Sequence, residues 1–304
     1  MSLHVFANIV TPFGTAANNR GETEGNVTTL QKLIWYGQPY TTVSAESIRF
    51  ALRRLLAEAE QGGSNRHWDE DDRNNVWQDS KFLGWSEENG KTFIDDDLLG
   101  FMTAEAAAEE GKSGSANVRR AVLEVTRAVS LTSWPGDVTF NAASPGATPS
   151  AQKKGTNPVP YGTEMHATRY QFGLALTPGR LRDKSRAAKA LEAVGRLGTV
   201  AGNQGRFFFD FSPDSIIIRI TDDPAPRLLY CFETKDDGKT VMAPMLFRRV
   251  GGGDIDPKEL VIGGVFAADS AVSELKSRGA IIFPDGVKAA VAEACARIDE
   301  RLGV

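Results

Sequence analysis

The sequence has few of the residues from which catalytic and metal centres are commonly built. It contains two cysteines and three histidines in 304 residues. Cys231 and Cys295 form no CxxC pair, which argues against a zinc site and against a disulfide framework. The histidines, His4, His67 and His166, lie in unrelated segments, and no HExxH, GxSxG or GxxxxGK pattern occurs. We therefore predict no cofactor, no metal site and no catalytic residue.

Long apolar runs are also missing. No stretch approaches the roughly 18 consecutive apolar residues that indicate a membrane span. The N-terminal residues 1–14 have neither a basic region nor a cleavage-site pattern. Hydrophobic residues make up 41% of the chain and charged residues 24%, which is ordinary for a soluble globular protein. We predict a cytoplasmic protein with no membrane partner.

The chain has no overall positive charge. Its charges are, however, unevenly distributed along the sequence. The formal net charge is −4, whereas nucleic-acid-binding domains are often strongly basic. Residues 60–110 hold fourteen acids against four bases, a charge of −10, and residues 180–206 hold seven bases against two acids, a charge of +5. A basic groove can therefore coexist with an acidic surface. That acidic stretch is either a solvated exterior or the surface for a partner.

The stretch Asn18–Leu56 carries the clearest functional pattern. Ser44 predicts a helix N-cap, and Glu46 places negative charge in the first turn, where the helix dipole favours it. Arg49 and Arg53 lie four residues apart and so share one helix face. Backbone N–H groups, hydroxyls and guanidinium groups at a helix start suit a phosphate backbone. The alternative is a pair of solvated arginines on an amphipathic helix.

A second segment, residues 133–162, is dense in Pro, Gly, Ser and Ala, with Lys153 and Lys154 near its middle. A long irregular segment inside a compact protein is usually functional or a linker. The alternative is an idle loop.

A strand is predicted at Glu164–Leu176 because polar and apolar residues alternate along it. His166 and Tyr170 fall on one side, and Met165 and Arg169 on the other. An apolar side chain and a cation on that second side can touch a base and a phosphate. We interpret His166 as a structural histidine rather than a catalyst.

The remaining periodicity outlines the rest of the fold. A first strand followed, after an excursion, by a helix is typical of an α+β protein with an RRM or ferredoxin-like core that carries insertions. The further predictions are strands at 3–12, 206–211, 215–220 and 227–233, and helices at 95–110, 181–200 and 285–302.

Two stretches together resemble a known family. NNRG…GNVTTLQKLIWYGQPYTTVSAESIRFALRR resembles the CRISPR-associated DevR family, the Cas-seven backbone subunit of type I Cascade. Glu164–Phe172, EMHATRYQF, is similar to that family's His-x-Thr-Arg-Tyr-Gln strand. The resemblance implies an RRM/ferredoxin-like palm formed by 1–61, 113–132 and 163–304, an acidic, aromatic-containing insertion at 62–112 that corresponds to fingers, and a thumb at 133–162.

The resemblance also implies a function. A backbone subunit of this kind binds guide RNA (crRNA), polymerises along it and presents the bases for pairing, so that sequence is recognised by the RNA. The implied partners are crRNA, target DNA through the crRNA, further copies of the chain, and other Cascade subunits of the Cas-five and large-subunit type. The predicted RNA contacts are Asn19, Arg20, Lys32, Ser44, Ser47, Arg49, Arg53, Lys153, Lys154, Met165 and Arg169.

Two other functions stay open on the sequence. Some related backbone subunits cut RNA with an aspartate in the thumb, and Asp137 lies in a comparable region here. A metal-dependent ribonuclease of the same fold is therefore one alternative to a non-enzymatic scaffold. A DNA-binding transcriptional regulator is the other, although no helix-turn-helix pattern is evident.

Overall fold

The computed structural model describes residues 2–17, 23–86, 90–105, 115–147, 152, 157–200, 208–235, 238–284 and 286–304. Within these residues the fold is mixed α+β, as predicted. The strands are β1 (His4–Val10), β2 (Gly14–Ala17), β3 (Thr23–Glu24), β4 (Val27–Thr28), β5 (Lys32–Trp35), β6 (Gln38–Val43), β7 (Arg66–Asp69), β8 (Asn74–Trp77), β9 (Phe101–Glu105), β10 (Ser115–Arg119), β11 (Leu123–Val125), β12 (Ala128–Ser130), β13 (Val138–Ala143), β14 (Val159–Thr168), β15 (Tyr170–Leu176), β16 (Ser215–Thr221), β17 (Glu233–Lys235), β18 (Thr240–Met242), β19 (Leu260–Gly264) and β20 (Ile281–Phe283).

The helices alternate with these strands. The α-helices are α1 (Ala45–Ala59), α2 (Ile94–Leu99), α3 (Arg186–Gly195), α4 (Pro244–Gly251), α5 (Val272–Ser277) and α6 (Val287–Leu302). Short 3-10 helices occupy Leu83–Trp85, Pro178–Arg180, Pro257–Glu259 and Val265–Ala268. None of the helices in the described ranges is both long and apolar enough to cross a bilayer.

A nine-stranded sheet forms the centre of the molecule. Its order is β20-β19-β16-β1-β15-β12-β6-β5, and β11 also pairs with β15. Strand β1 lies between β15 and β16 and is antiparallel to both, with Val5 opposite Leu176 on one side and Ile220 on the other. Along the chain, α1 comes between β1 and β11, and α3 comes between β15 and β16. The central order is therefore β16-β1-β15-β11/β12 with two connecting helices.

One face of this sheet is covered by helices α1, α3 and α6. Helix α1 begins after Ser44, whose Oγ accepts a hydrogen bond from the Ser47 backbone N–H at 3.2 Å. Its buried stripe, which includes Ile48 and Leu52, packs in one cluster with Val5 of β1. The spacing of the apolar residues along α1 thus sets which side of the helix faces the sheet.

The opposite face of the sheet is covered as well. Phe6 and Val10 of β1 alternate with the helix-facing residues and, with Ile217 of β16, join a second buried cluster that contains Leu228 and Phe232. This second layer comprises the segment before β17 together with α4 and α5. The central strands are consequently enclosed on both sides.

Smaller β-structures lie outside the central sheet. Strands β7 and β8 pair with each other, as do β9 and β10, and these hairpins fall in and next to the predicted insertion. Strands β13 and β14 pair from Val138 opposite Glu164 to Ala143 opposite Val159. That hairpin occupies the segment predicted as a thumb. The domain boundaries themselves stay a prediction.

Several predicted elements are confirmed, and the prediction of one helix is wrong. Strand β1, helix α1 and helix α6 lie where the pattern placed them. The helix predicted at 95–110 ends at Leu99 and is followed by strand β9. Gly100 has a φ of +69° and its position would bring a Cβ within 2.3 Å of the Arg119 carbonyl oxygen. The chain therefore turns at this glycine instead of continuing the helix.

The predicted β-rich runs are also corrected. Of the three, only 215–220 is a strand; the described part of the first, residues 208–211, has no strand. The third, 227–233, contains Arg227 and Tyr230 with positive φ angles of 56° and 55°, which interrupt an extended chain. The predicted strand 164–176 divides into β14 and β15 at Arg169, and the helix predicted at 181–200 is restricted to α3.

Candidate nucleic-acid interface

Two buried serines, Ser44 and Ser47, lie at the start of α1. Ser44 is 9% exposed and Ser47 is 4% exposed. Their Oγ atoms are 3.1 Å apart, and Ser44 also caps the helix. The exposed part of this turn belongs to Glu46. The Ser47 hydroxyl is enclosed and its backbone N–H is donated to Ser44 Oγ, so the predicted RNA contact through Ser47 gains no support from this geometry.

Arg49 and Arg53 both extend toward helix α2. Arg49 Nη2 donates to the Leu99 carbonyl oxygen, and Arg53 Nε donates to Asp95 Oδ2 at 3.2 Å. Burial, followed by the positive charge of Arg53, lowers the pKa of Arg49 from its ordinary value. A guanidinium carries five N–H donors. Each arginine therefore braces α2 with one group, and its other donors make no hydrogen bond to the described residues.

Lys32 lies at a junction between β5 and β14. Its Nζ forms an ion pair with Glu164, which also accepts a hydrogen bond from the Leu30 backbone N–H at 2.6 Å. The same ammonium is 4.2 Å from the centre of the Trp134 ring. The Lys32 side chain is 25% exposed. The lysine holds the edge strand against β14 and keeps a limited accessible surface.

Arg169 is a brace at the break between β14 and β15. Its Nη1 donates to Asp214 Oδ2 at 2.6 Å and to the Thr11 carbonyl oxygen at 3.0 Å, while Nε donates to the Gly238 carbonyl oxygen at 3.2 Å. Three separate segments thus converge on one guanidinium. Met165, four residues earlier, is half-buried and pairs with β2.

Four of the predicted contacts, Asn19, Arg20, Lys153 and Lys154, lie outside the described residues. Among the others, β14 brings Lys32 and Met165 into one region, and α2 brings Arg49 and Arg53 into another. The structure does not join these two groups through a direct side-chain contact in the described part of the chain. All of these assignments stay predictions.

His166 is a buried structural residue. It is 2% exposed, with Nδ1 at 2.7 Å from Thr41 Oγ1 and Nε2 at 3.2 Å from Thr132 Oγ1. Burial lowers the pKa of His166 to about 4. The imidazole is therefore neutral at physiological pH and links β6 to β14 through hydroxyl groups.

Asp137 is exposed just before β13. Its backbone carbonyl accepts a hydrogen bond from the Met165 N–H at 3.0 Å, which fixes the base of the hairpin. Within the described residues, no three His, Cys, Asp or Glu side chains are grouped in a way that would hold a metal ion. The described surroundings of Asp137 are those of a hairpin base.

Comparison with known proteins identifies the family. A family model described as CRISPR-associated negative auto-regulator DevR/Csa2 matches residues 11–182. A curated protein of Myxococcus xanthus (strain DK1622), CRISPR-associated protein Cas7/Cst2/DevR, is 60% identical over 302 residues, which are 99% of each chain. This chain belongs to the CRISPR-associated Cas7/Cst2/DevR family. The family resemblance predicted from the sequence is confirmed.

Solved structures are similar in fold to this Cas7/Cst2/DevR chain. One belongs to a CRISPR RNA-guided surveillance complex, pre-nicking, with 14% identity, a TM-score of 0.55 and coverage of 97% of this chain and 100% of the other. A second, from a CRISPR RNA-guided surveillance complex, has 17% identity, a TM-score of 0.56 and coverage of 97% and 99%. At these identities the likeness shows a shared fold across the whole chain.

One feature of this Cas7/Cst2/DevR chain was missed by the sequence analysis: the aspartates of α2 are a hub for arginines. Asp95, Asp96 and Asp97 are buried. Asp97 accepts from Arg119 and, at 3.0 Å, from Arg186 Nη1. Part of the acidic stretch is therefore interior. The signal was available, since three consecutive aspartates run directly into Leu98 and Leu99, as expected for a helix that packs into a core.

Proposed function

We propose that this chain is a guide-RNA-binding backbone subunit of a type I Cascade effector, that several copies polymerise along one crRNA, and that it acts without catalysis. The observation that carries the proposal is the whole-length match to the Cas7/Cst2/DevR relative. Target DNA is reached through the bases of the crRNA. Further copies of the chain and the Cas-five and large-subunit type proteins are the remaining partners.

We infer an RRM-like core from the arrangement of the central elements. Chain order β1-α1-β11/β12-β15-α3-β16 combined with spatial order β16-β1-β15-β11/β12 is that of a ferredoxin-like β-α-β-β-α-β unit. All pairs in this unit are antiparallel. The hairpin β13–β14 then corresponds to the thumb, and the segment with β7, β8 and α2 corresponds to the insertion.

This core binds RNA away from its sheet face. An RRM stacks bases on aromatic residues of an open sheet. Here the face with Phe6 and Val10 is closed by a second buried cluster, and Phe209 and Phe211 pack instead against Tyr170 within the helix-side core. Phosphates are therefore gripped by cationic groups at the start of α1, at the β5–β14 junction and on the thumb.

The proposed inactivity toward RNA follows from the residues that would have to react. His166 is enclosed and neutral, which suits a structural role. Asp137 is an exposed carboxylate at the base of a hairpin, and the described residues group it with no set of side chains that would hold a metal ion. A phosphodiester held by the protein is therefore expected to stay intact.

Purification from the native host tests the RNA-binding role. We expect a short RNA of discrete length to accompany the protein, and the isolated protein to leave labelled RNA uncut in the presence of Mg²⁺. Absence of bound RNA under low-salt purification would contradict the scaffold function. Cleavage that disappears in Asp137→Asn would instead establish the ribonuclease.

One further function has an observation in its favour, because the matching family model is described as a negative auto-regulator. A regulator of transcription has to prefer duplex DNA. Competition between a promoter duplex and single-stranded RNA of equal length distinguishes the two functions, and we expect the RNA to displace the duplex.

A further inference from the structure

A pocket lined by arginines lies beside the hairpin β9–β10. It has a volume of about 390 Å³ and contains Arg119, Arg120 and Arg180, with Trp85 and Phe101 in its wall. We call it the arginine pocket. The described residues that line it include no carboxylate. Three arginines therefore line one concave surface, and Asp97, which pairs with Arg119, is outside the lining.

Arg119 is held in place at this pocket. Its guanidinium carbon is 4.2 Å from the centre of the Trp85 ring, and Nη2 donates to Asp97 and, at 3.2 Å, to the Arg180 carbonyl oxygen. Its Nε is buried and has no hydrogen-bond partner within the described residues. Asp97 is shared with Arg186. Arg186 also pairs with Glu60 at 2.6 Å, so Asp97 is the carboxylate that holds Arg119 in position.

Arg120 and Arg180 are the other two arginines of the pocket. Both are exposed, and in the described part of the chain their side chains make no ion pair or hydrogen bond. Like charges that share a pocket repel, and a bound anion removes that repulsion. The pocket is therefore arranged to accept negative charge.

The chemistry beside the arginines narrows the class of anion. Asn117 offers an amide, and Val118 is 57% exposed at the rim. A planar guanidinium binds phosphate oxygens in a bidentate manner, and neighbouring apolar surface accommodates a sugar or base. We infer that the arginine pocket binds the phosphodiester backbone of a single nucleic-acid strand, at a site separate from the start of α1. This inference rests on the proposed function.

The test compares the full chain with the double variant Arg120→Ala/Arg180→Ala. The control is Arg248→Ala, which removes one exposed arginine of α4 outside the pocket. Fluorescence anisotropy with labelled single-stranded RNA and DNA of one sequence measures Kd across a salt series. Two lost phosphate contacts reduce the salt slope by about 1.4, which corresponds to roughly 25-fold weaker binding at 0.1 M salt.

Each outcome has a defined meaning. Equal losses for RNA and DNA support recognition of phosphate alone, and a loss for RNA only supports a site for the guide strand. An affinity and slope equal to those of Arg248→Ala would overturn the pocket and leave the proposed function standing. A wild-type chain that binds no single strand would reject both. Unchanged affinity with loss of self-association on a sizing column would show a protein surface and also overturn the inference.

Discussion

Replacing Asp96 by asparagine should stabilise the protein at neutral and alkaline pH. Asp96 is 3% exposed and accepts a hydrogen bond from Asn65 Nδ2 at 2.9 Å. Burial, reinforced by the negative charge of Asp95, raises the pKa of Asp96 from 3.8 to about 7. The folded protein therefore favours the neutral carboxylic acid, and it loses stability when that group has to ionise.

The sign and size follow from proton linkage. Because the folded pKa lies above the unfolded one, the contribution of Asp96 is fully present below about pH 4 and is lost as pH rises through about 7. One pKa unit corresponds to about 1.4 kcal/mol, so the ceiling of the effect is about 4 kcal/mol. Asparagine removes the ionisation but accepts a weaker hydrogen bond from Asn65, which leaves an expected gain of about 2 kcal/mol at pH 8.

Urea unfolding of wild type and Asp96→Asn between pH 4 and pH 8 measures this effect. The quantity to follow is the difference in free energy of unfolding between the two proteins, since other titrating groups cancel. We expect the variant to gain relative to wild type as pH rises. Glu274→Gln, at a side chain that is 71% exposed, serves as a control with no such trend. A pH-independent difference for Asp96→Asn would refute the reasoning.

Three further substitutions test other contacts of the structure. Asp97→Asn leaves Arg119 with an uncharged partner and Arg186 with Glu60 alone, and we expect a loss of about 3 kcal/mol in urea unfolding. A loss below about 1 kcal/mol would contradict the role of Asp97 in holding the arginines. Leu52→Ala, at a fully buried position, should cost about 2 to 5 kcal/mol by the same measurement. Arg49→Ala should weaken RNA binding equally for all guide sequences and lower the salt slope by about 0.7. An unchanged slope in a variant with native circular dichroism would remove Arg49 from the interface.

Local sequence patterns determined several secondary-structure elements and the family of this protein. Alternation along β1, the Ser44 cap with the apolar stripe of α1, and the stripe of α6 all describe elements whose residues are specified by their near neighbours in sequence. The two family stretches are likewise contiguous runs of residues. Signals of this kind survive without tertiary information because they depend on backbone periodicity and capping alone.

Tertiary structure decided which groups meet. Arg49 and Arg53 looked like a free phosphate-binding pair, yet each contributes a donor to α2, which follows about forty residues later in the chain. The helix predicted through Gly100 stops there because this residue adopts a φ of +69°, and the Arg119 backbone that packs beside it leaves room only for glycine. Neither fact is visible in a window of neighbouring residues.

The covered sheet face and the arginine pocket both form through contacts between residues that are far apart in the sequence. Phe6 and Val10 alternate as in any strand, and only the packing of Leu228 and Phe232 over them closes that face. Arg119 and Arg180 are 61 positions apart, and they meet where Arg119, which packs on Trp85 and pairs with Asp97, donates to the Arg180 carbonyl oxygen. Sequence alone determined the family and the local elements, whereas long-range packing, which fixes desolvation and charge pairing, decided which cations remain available to bind.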